Sequence, residues 1–261
     1  MNKYSTKYPV ILVHGIIAKD FSFYRAFRKI KDKLALNHVH VYIGNHDGIG
    51  SIENNAKQLK AQIIEILKTE KVDKINIIAH SKGGLDSRYM ISKLDMAKHV
   101  ASLTTLSTPH HGSKLASNLL KLPKFVVNFL CFWSNLFFKI CKDKNPNLLA
   151  VGKDLSYESM IEFNREIVNN KDVFYQSYSS SLKNKRQFIM FVPYYLTKFI
   201  ESEDTDGLVS VSSSVWGNYK GNTDGNFDHI EIIAFFGQKK RIEKVSEFYL
   251  KLVEELKQLG F

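Results

Sequence analysis

The segment N-I-I-A-H-S-K-G-G-L-D-S-R-Y, residues 76–89, constrains this chain more than any other stretch. An apolar run ends at Ala79, then come His80, Ser81, Lys82 and two glycines, after which Leu85, Tyr89 and Met90 keep one helix face apolar. Strand, sharp turn and helix, in that order, make a nucleophile elbow, whose frame G-x-S-x-G is here A-H-S-K-G. The first position needs a small side chain because strand and helix approach closely, and Ala adds only a methyl group to Gly. Gly83 and Gly84 let the helix pack against the strand.

An elbow needs a sheet around it. Residues 9–13 form a short apolar run ending at His14-Gly15, and residues 38–43, 74–79, 100–107, 173–179 and 230–236 read as further strands. Leu59, Ile63, Ile66 and Leu67 give residues 53–68 helical spacing, and Val245, Phe248, Leu252, Leu256 and Leu259 do the same for residues 241–259. Strands alternating with helices of this length predict an α/β fold with a mostly parallel central sheet flanked by helices. No internal repeat or low-complexity linker divides the 261 residues, so one domain spanning 1–261 is expected.

A serine hydroxyl is a weak nucleophile and requires a base, itself oriented by an acid. On an elbow the chain order is Ser, then Asp or Glu, then His. Of nine histidines, five precede Ser81 or abut it and three follow at 99, 110 and 111, leaving His229 as the base that the order demands. Asp206 opens D-G-L-V-S-V at a tight turn and is the preferred acid, with Asp204 in a more acidic cluster as the alternative. An acyl-transfer oxyanion needs two backbone N–H donors. Lys82 supplies one at a helix N-terminus, and the loop after the first strand supplies the other through Ile16.

With 44% hydrophobic and 24% charged residues, the chain is globular rather than disordered. Its formal charge of +11 favours anionic surfaces. The lysine groups at 142–144, 183–186 and 239–241 are scattered, which reads as a solvated basic surface rather than a nucleic-acid site, with peripheral contact with an anionic membrane as the open partner. Cys131 and Cys141 would face different directions on a helix, so they read as packing residues rather than a disulfide. The start lacks a signal-peptide pattern, and a protein beginning at Met1 is expected in the cytoplasm. Residues 119–140 are dense in large apolar groups but interrupted by Pro123, Asn128, Ser134 and Asn135, too short to span a bilayer uninterrupted. A buried helix pair, a lid over an apolar site and a membrane anchor are the open readings.

Taken together, T-K-Y-P-V-I-L-V-H-G from Thr6, K-I-N-I-I-A-H-S-K-G-G from Lys74, V-A-S-L-T-T-L-S-T-P-H-H-G-S from Val100, D-G-L-V-S-V-S-S from Asp206 and D-H-I-E from Asp228 resemble the bacterial triacylglycerol lipases of the Pseudomonas and Proteus type, in the α/β-hydrolase superfamily. The resemblance implies Ser81 as nucleophile, Asp206 as acid, His229 as base, and Ile16 and Lys82 as oxyanion donors. It also implies a helical lid at roughly residues 113–150 and a lipid or acyl-ester substrate. Family members bind calcium through an Asp two residues past the histidine and another upstream of the acid. Here Glu231 takes the first position, and the second falls near the basic run K-N-K-R from Lys183, so no cofactor is expected. Ser212 stands near where some secreted members have a cysteine. The alternatives are a phospholipase, thioesterase or acyltransferase with the same triad, or a non-catalytic lipid-binding module.

Overall fold

The computed structural model describes residues 3–16, 26–182, 191–235 and 237–261. These form a six-stranded parallel sheet of β1 (Val10–Val13), β2 (Val41–Ile43), β3 (Ile75–His80), β4 (Val100–Leu106), β5 (Phe174–Ser179) and β6 (Asn218–Asn222), in the order β2-β1-β3-β4-β5-β6. Fully buried strands such as V-I-L-V can be apolar throughout because both faces are covered.

Alternation along β1 separates the two faces. Val10 and Leu12 pack with α1 (Arg28–Leu36) and α9 (Lys239–Gln258), while Ile11 and Val13 pack with α2 (Ile52–Glu70) and α3 (Lys82–Lys93). On α2, Leu59, Ile63, Ile66 and Leu67 are all buried, and Ser51 caps the helix by accepting from the Asn54 N–H. The result is a helix-sheet-helix sandwich with β3 and β4 at its centre, and the elbow sits at the C-terminal end of β3, beside that of β1.

Between β4 and β5 the chain leaves the sandwich to build α4 (Lys114–Leu120), α5 (Lys124–Ile140), α6 (Leu148–Asp154) and α7 (Tyr157–Glu166). Helix α8 (Phe191–Glu201) packs with α4. The buried helix-pair reading of residues 119–140 is wrong: every residue of α5 is at least partly exposed, because α5 rests on α6 outside the sheet layers. Among the described residues no single helix is long and apolar enough to cross a membrane; α4 and α5 meet the length and composition only as a pair bent by 112°.

Residues 230–236 are not a strand as far as they are described. Asp228 Oδ1 accepts the N–H groups of Ile230 and Glu231, which starts a 3₁₀ turn at Glu231–Ile233 and takes those donors away from any ladder. The apolar run is real, since Ile232, Ile233 and Ala234 enter the core, but a short apolar run is compatible with either geometry. Strand β6, N-Y-K-G-N, was not foreseen because a short polar edge strand carries little apolar pattern.

Candidate active site

Ser81 sits where β3 turns into α3, with φ of 53° and ψ of −134°. A non-glycine residue at positive φ is strained by about 1–3 kcal/mol and is held there by its surroundings. The holding contacts are close. The Ser81 N–H donates to Leu106 O at 3.0 Å, and Thr108 Oγ1 donates to Ser81 O at 2.8 Å. A Cβ on Gly83 would lie 2.4 Å from His14 O, and one on Gly84 would lie 2.3 Å from Thr108 Oγ1, so glycine at both positions lets α3 seat on the sheet. Thr108 lies in the T-P-H-H-G stretch, and its tie to the elbow was not read from the sequence.

The other two members of the expected triad come from late loops. Asp206 is fully buried, and its Oδ1 accepts the N–H groups of Leu208 and Val209 at 3.0 and 2.9 Å. Its Oδ2 lies 2.8 Å from His229 Nδ1. A carboxylate only accepts, so Nδ1 donates and Nε2 is left to accept from Ser81 Oγ, 3.0 Å away. The His229 N–H also donates to Asp206 O at 3.0 Å, fixing backbone and ring together. Asp204 points elsewhere, to Lys198 at 3.6 Å on the surface.

Of the two residues named from the sequence as oxyanion donors, Lys82 follows the serine directly and Ile16 lines the same cavity as Ser81. A Cβ on Gly15 would lie 2.7 Å from Ser81 Cβ and 3.1 Å from Lys82 N, so the loop after β1, with Ile16, presses on the elbow. The Lys82 side chain turns away into the interior and pairs with Asp86 at 2.6 Å, while Asn55 donates to the other Asp86 oxygen at 3.1 Å. Burial pushes the Asp86 carboxyl up to about 6 against the opposing pull of Lys82. His80, on the other side of Ser81, packs its ring 4.5 Å from that of His229. Burial foremost, then the neighbouring His229 and His14, holds the His80 imidazole well below the ordinary histidine range, so it stays neutral beside the triad.

Ser81 and His229 open on a cavity of about 390 Å³. Its walls include Ile16 from the β1 loop, Leu119 and Leu120 of α4, Leu130 of α5 and Leu149 of α6. A hydroxyl-imidazole-carboxylate series at the mouth of an apolar cavity can run nucleophilic acyl transfer on an apolar acyl group.

The profile of the palmitoyl protein thioesterase family matches residues 9–224. The chain belongs to that family. It is 34% identical over 241 residues to triacylglycerol lipase 2 of Saccharomyces cerevisiae, covering 82% of this chain and 68% of the yeast protein. It is 25% identical over 293 residues to the triacylglycerol lipase of Pseudomonas fragi, covering 98% of each. A metagenomic carboxyl esterase shares the fold, with a TM-score of 0.77 at 17% identity over 97% of this chain and 77% of that one. The chain is therefore a serine hydrolase with an α/β-hydrolase fold. The resemblance to triacylglycerol lipases stands at the level of the lipases as a whole, with a yeast and a bacterial relative both carrying it.

Of the two calcium carboxylate positions that the resemblance implies, one can be placed. Glu231 occupies the carboxylate position two residues past His229, but both its oxygens accept from Arg241. Among the described residues no group of three or more His, Cys, Asp or Glu could hold a metal ion. The basic run from Lys183, where the second position falls, lies outside the described residues.

Proposed function

We propose that the chain hydrolyses lipid esters through an acyl-enzyme intermediate, with Ser81 as nucleophile, His229 as general base and acid, Asp206 as the orienting carboxylate, and the Ile16 and Lys82 N–H groups as oxyanion donors. The observation that carries this reading is the hydrogen-bonded series from Ser81 through His229 to Asp206, facing an apolar cavity. Ser81 Oγ attacks the acyl carbonyl as its proton passes to His229 Nε2. The tetrahedral intermediate collapses, and the leaving alcohol takes that proton from His229. Water then repeats the sequence on the acyl-enzyme, releasing the fatty acid. The yeast and Pseudomonas relatives, both triacylglycerol lipases by name, support an acyl glycerol substrate.

The family name favours a second reading, a thioester leaving group at the same triad. Turnover of p-nitrophenyl acyl esters against acyl-thioesters of equal chain length separates the two, with Ser81→Ala as the control that abolishes both. Full activity in Ser81→Ala would sink the assignment, and failure of a fluorophosphonate probe to label the wild type would favour a lipid-binding module.

Residues 113–150 serve as the lid in this proposal, since α4, α5 and α6 all wall the cavity. Phe125, Phe129, Phe132, Trp133 and Ile140 project from α5, each more than half exposed, among Lys121, Lys124, Lys139 and Lys142. Such a face is suited to the headgroup region of an anionic membrane. Cys131 and Cys141 are not joined as a disulfide, which supports a reducing compartment such as the cytoplasm.

A further inference from the structure

The loop that carries His229 is tied to the start of α9 by one side chain. Arg241 donates through Nε and Nη2 to the two oxygens of Glu231, through Nη1 to Gly225 O at 3.1 Å, and through Nη2 to Asn226 O at 3.2 Å. Its guanidinium also lies 5.3 Å from the centre of the Phe227 ring. The Glu231 side chain is fully buried, so its charge is balanced at this one place. The four contacts bracket His229 on both sides in sequence, with carbonyls before it and a carboxylate after it.

One carboxylate and two carbonyls converging on a point are the donor set of a hard divalent cation. We propose that Arg241 is a positioning residue for His229, its guanidinium holding the 225–231 loop as a bound metal ion would and leaving no room for one. The fork geometry matters: a planar guanidinium meets a carboxylate with two parallel bonds and still reaches the carbonyls, which an ammonium cannot do. Arg241 does not itself line the cavity that Ser81 and His229 open on, so it acts through the loop. This inference rests on His229 being the catalytic base.

The test compares wild type with Arg241→Gln, Arg241→Lys and Glu231→Gln, each checked for folding by circular dichroism. In Arg241→Gln, kcat should fall about 10–100-fold with KM within about twofold, the effect of a base displaced by an ångström or less. Amide hydrogens of residues 225–231 should exchange faster while those of β3 do not change. Arg241→Lys should recover only part of the loss, and millimolar guanidinium should restore part of kcat in Arg241→Gln. Where Arg241→Gln does not fold, Glu231→Gln removes the same fork from the other side and should show the same kcat loss. Unchanged kcat and unchanged exchange in the variants would overturn the proposal, as would full recovery in Arg241→Lys. The exchange measurement needs no substrate. A wild type inactive on esters and thioesters therefore sinks the functional reading while exchange still decides the clamp.

Discussion

Asp206 Oδ2 stands 2.8 Å from His229 Nδ1, although the two lie 23 positions apart in the chain, and the neighbouring Asp204 pairs instead with Lys198. Asp206→Asn should lower kcat by about 10³–10⁴-fold, because an amide stabilises the wrong imidazole tautomer and cannot balance the imidazolium. Asp204→Asn should leave turnover within about twofold. Steady-state hydrolysis of a p-nitrophenyl ester by both variants checks the pair, and equal losses would reassign the acid.

Gly83→Ala should destabilise the fold by about 1–3 kcal/mol, since its Cβ would sit 2.4 Å from the backbone oxygen of His14. A main-chain atom cannot swing aside as a flexible side chain can. The shift in the urea unfolding midpoint measures this, and an unchanged midpoint would mean that α3 and the β1 loop are less tightly apposed.

Asp86→Ala should be among the most damaging substitutions away from the triad. It leaves the Lys82 ammonium buried without its partner, which in comparable cases costs about 3–5 kcal/mol. The double variant Lys82→Met, Asp86→Leu should recover much of that loss while retaining esterase activity, because the role proposed for Lys82 uses only its backbone N–H. A double variant as unstable as Asp86→Ala alone would show that the pair is needed for packing rather than for charge balance.

Phe132→Ser combined with Trp133→Ser should change stability by no more than about 0.5 kcal/mol, as both side chains already face outward. Co-sedimentation with vesicles containing phosphatidylglycerol should drop sharply, each lost side chain removing about 1.5–3 kcal/mol of apolar transfer. Turnover of a short, soluble ester should stay near wild type. Undiminished vesicle binding would remove α5 from the proposed membrane contact.

The Asp228 carboxyl is pushed up to about 6, chiefly by burial. A carboxyl whose folded value lies above its ordinary value of 3.8 favours the protonated, folded form, so its contribution is greatest below 3.8 and is lost as pH rises to about 6. Asp228→Asn should remove that contribution, making stability depend less on pH across this window, with the difference read from thermal unfolding of both proteins between pH 4 and 7. Parallel profiles would show that Asp228 titrates at its ordinary value.

The strand, turn and helix around Ser81 were legible because each uses a local rule: a buried strand is an apolar run, an elbow needs small residues, and an amphipathic helix repeats every 3.6 residues. The same rules located β1, β4, β5 and α9 to within a residue or two at each end. They failed at residues 230–236, where two hydrogen bonds to Asp228 turned an apolar run into a 3₁₀ turn. They were silent on β6, whose polar residues pair only because β5 offers an edge.

Sequence order alone narrowed the base to His229 and the acid to Asp206 or Asp204, because the elbow dictates which partner follows which. Choosing between the acids took the fold, since only three-dimensional packing decides which carboxylate is buried against the imidazole and which stays in water. The pairing of Arg241 with Glu231 and the exposure of α5 were likewise decided in space. Periodicity reports which residues share a face, and tertiary structure alone reports what that face meets.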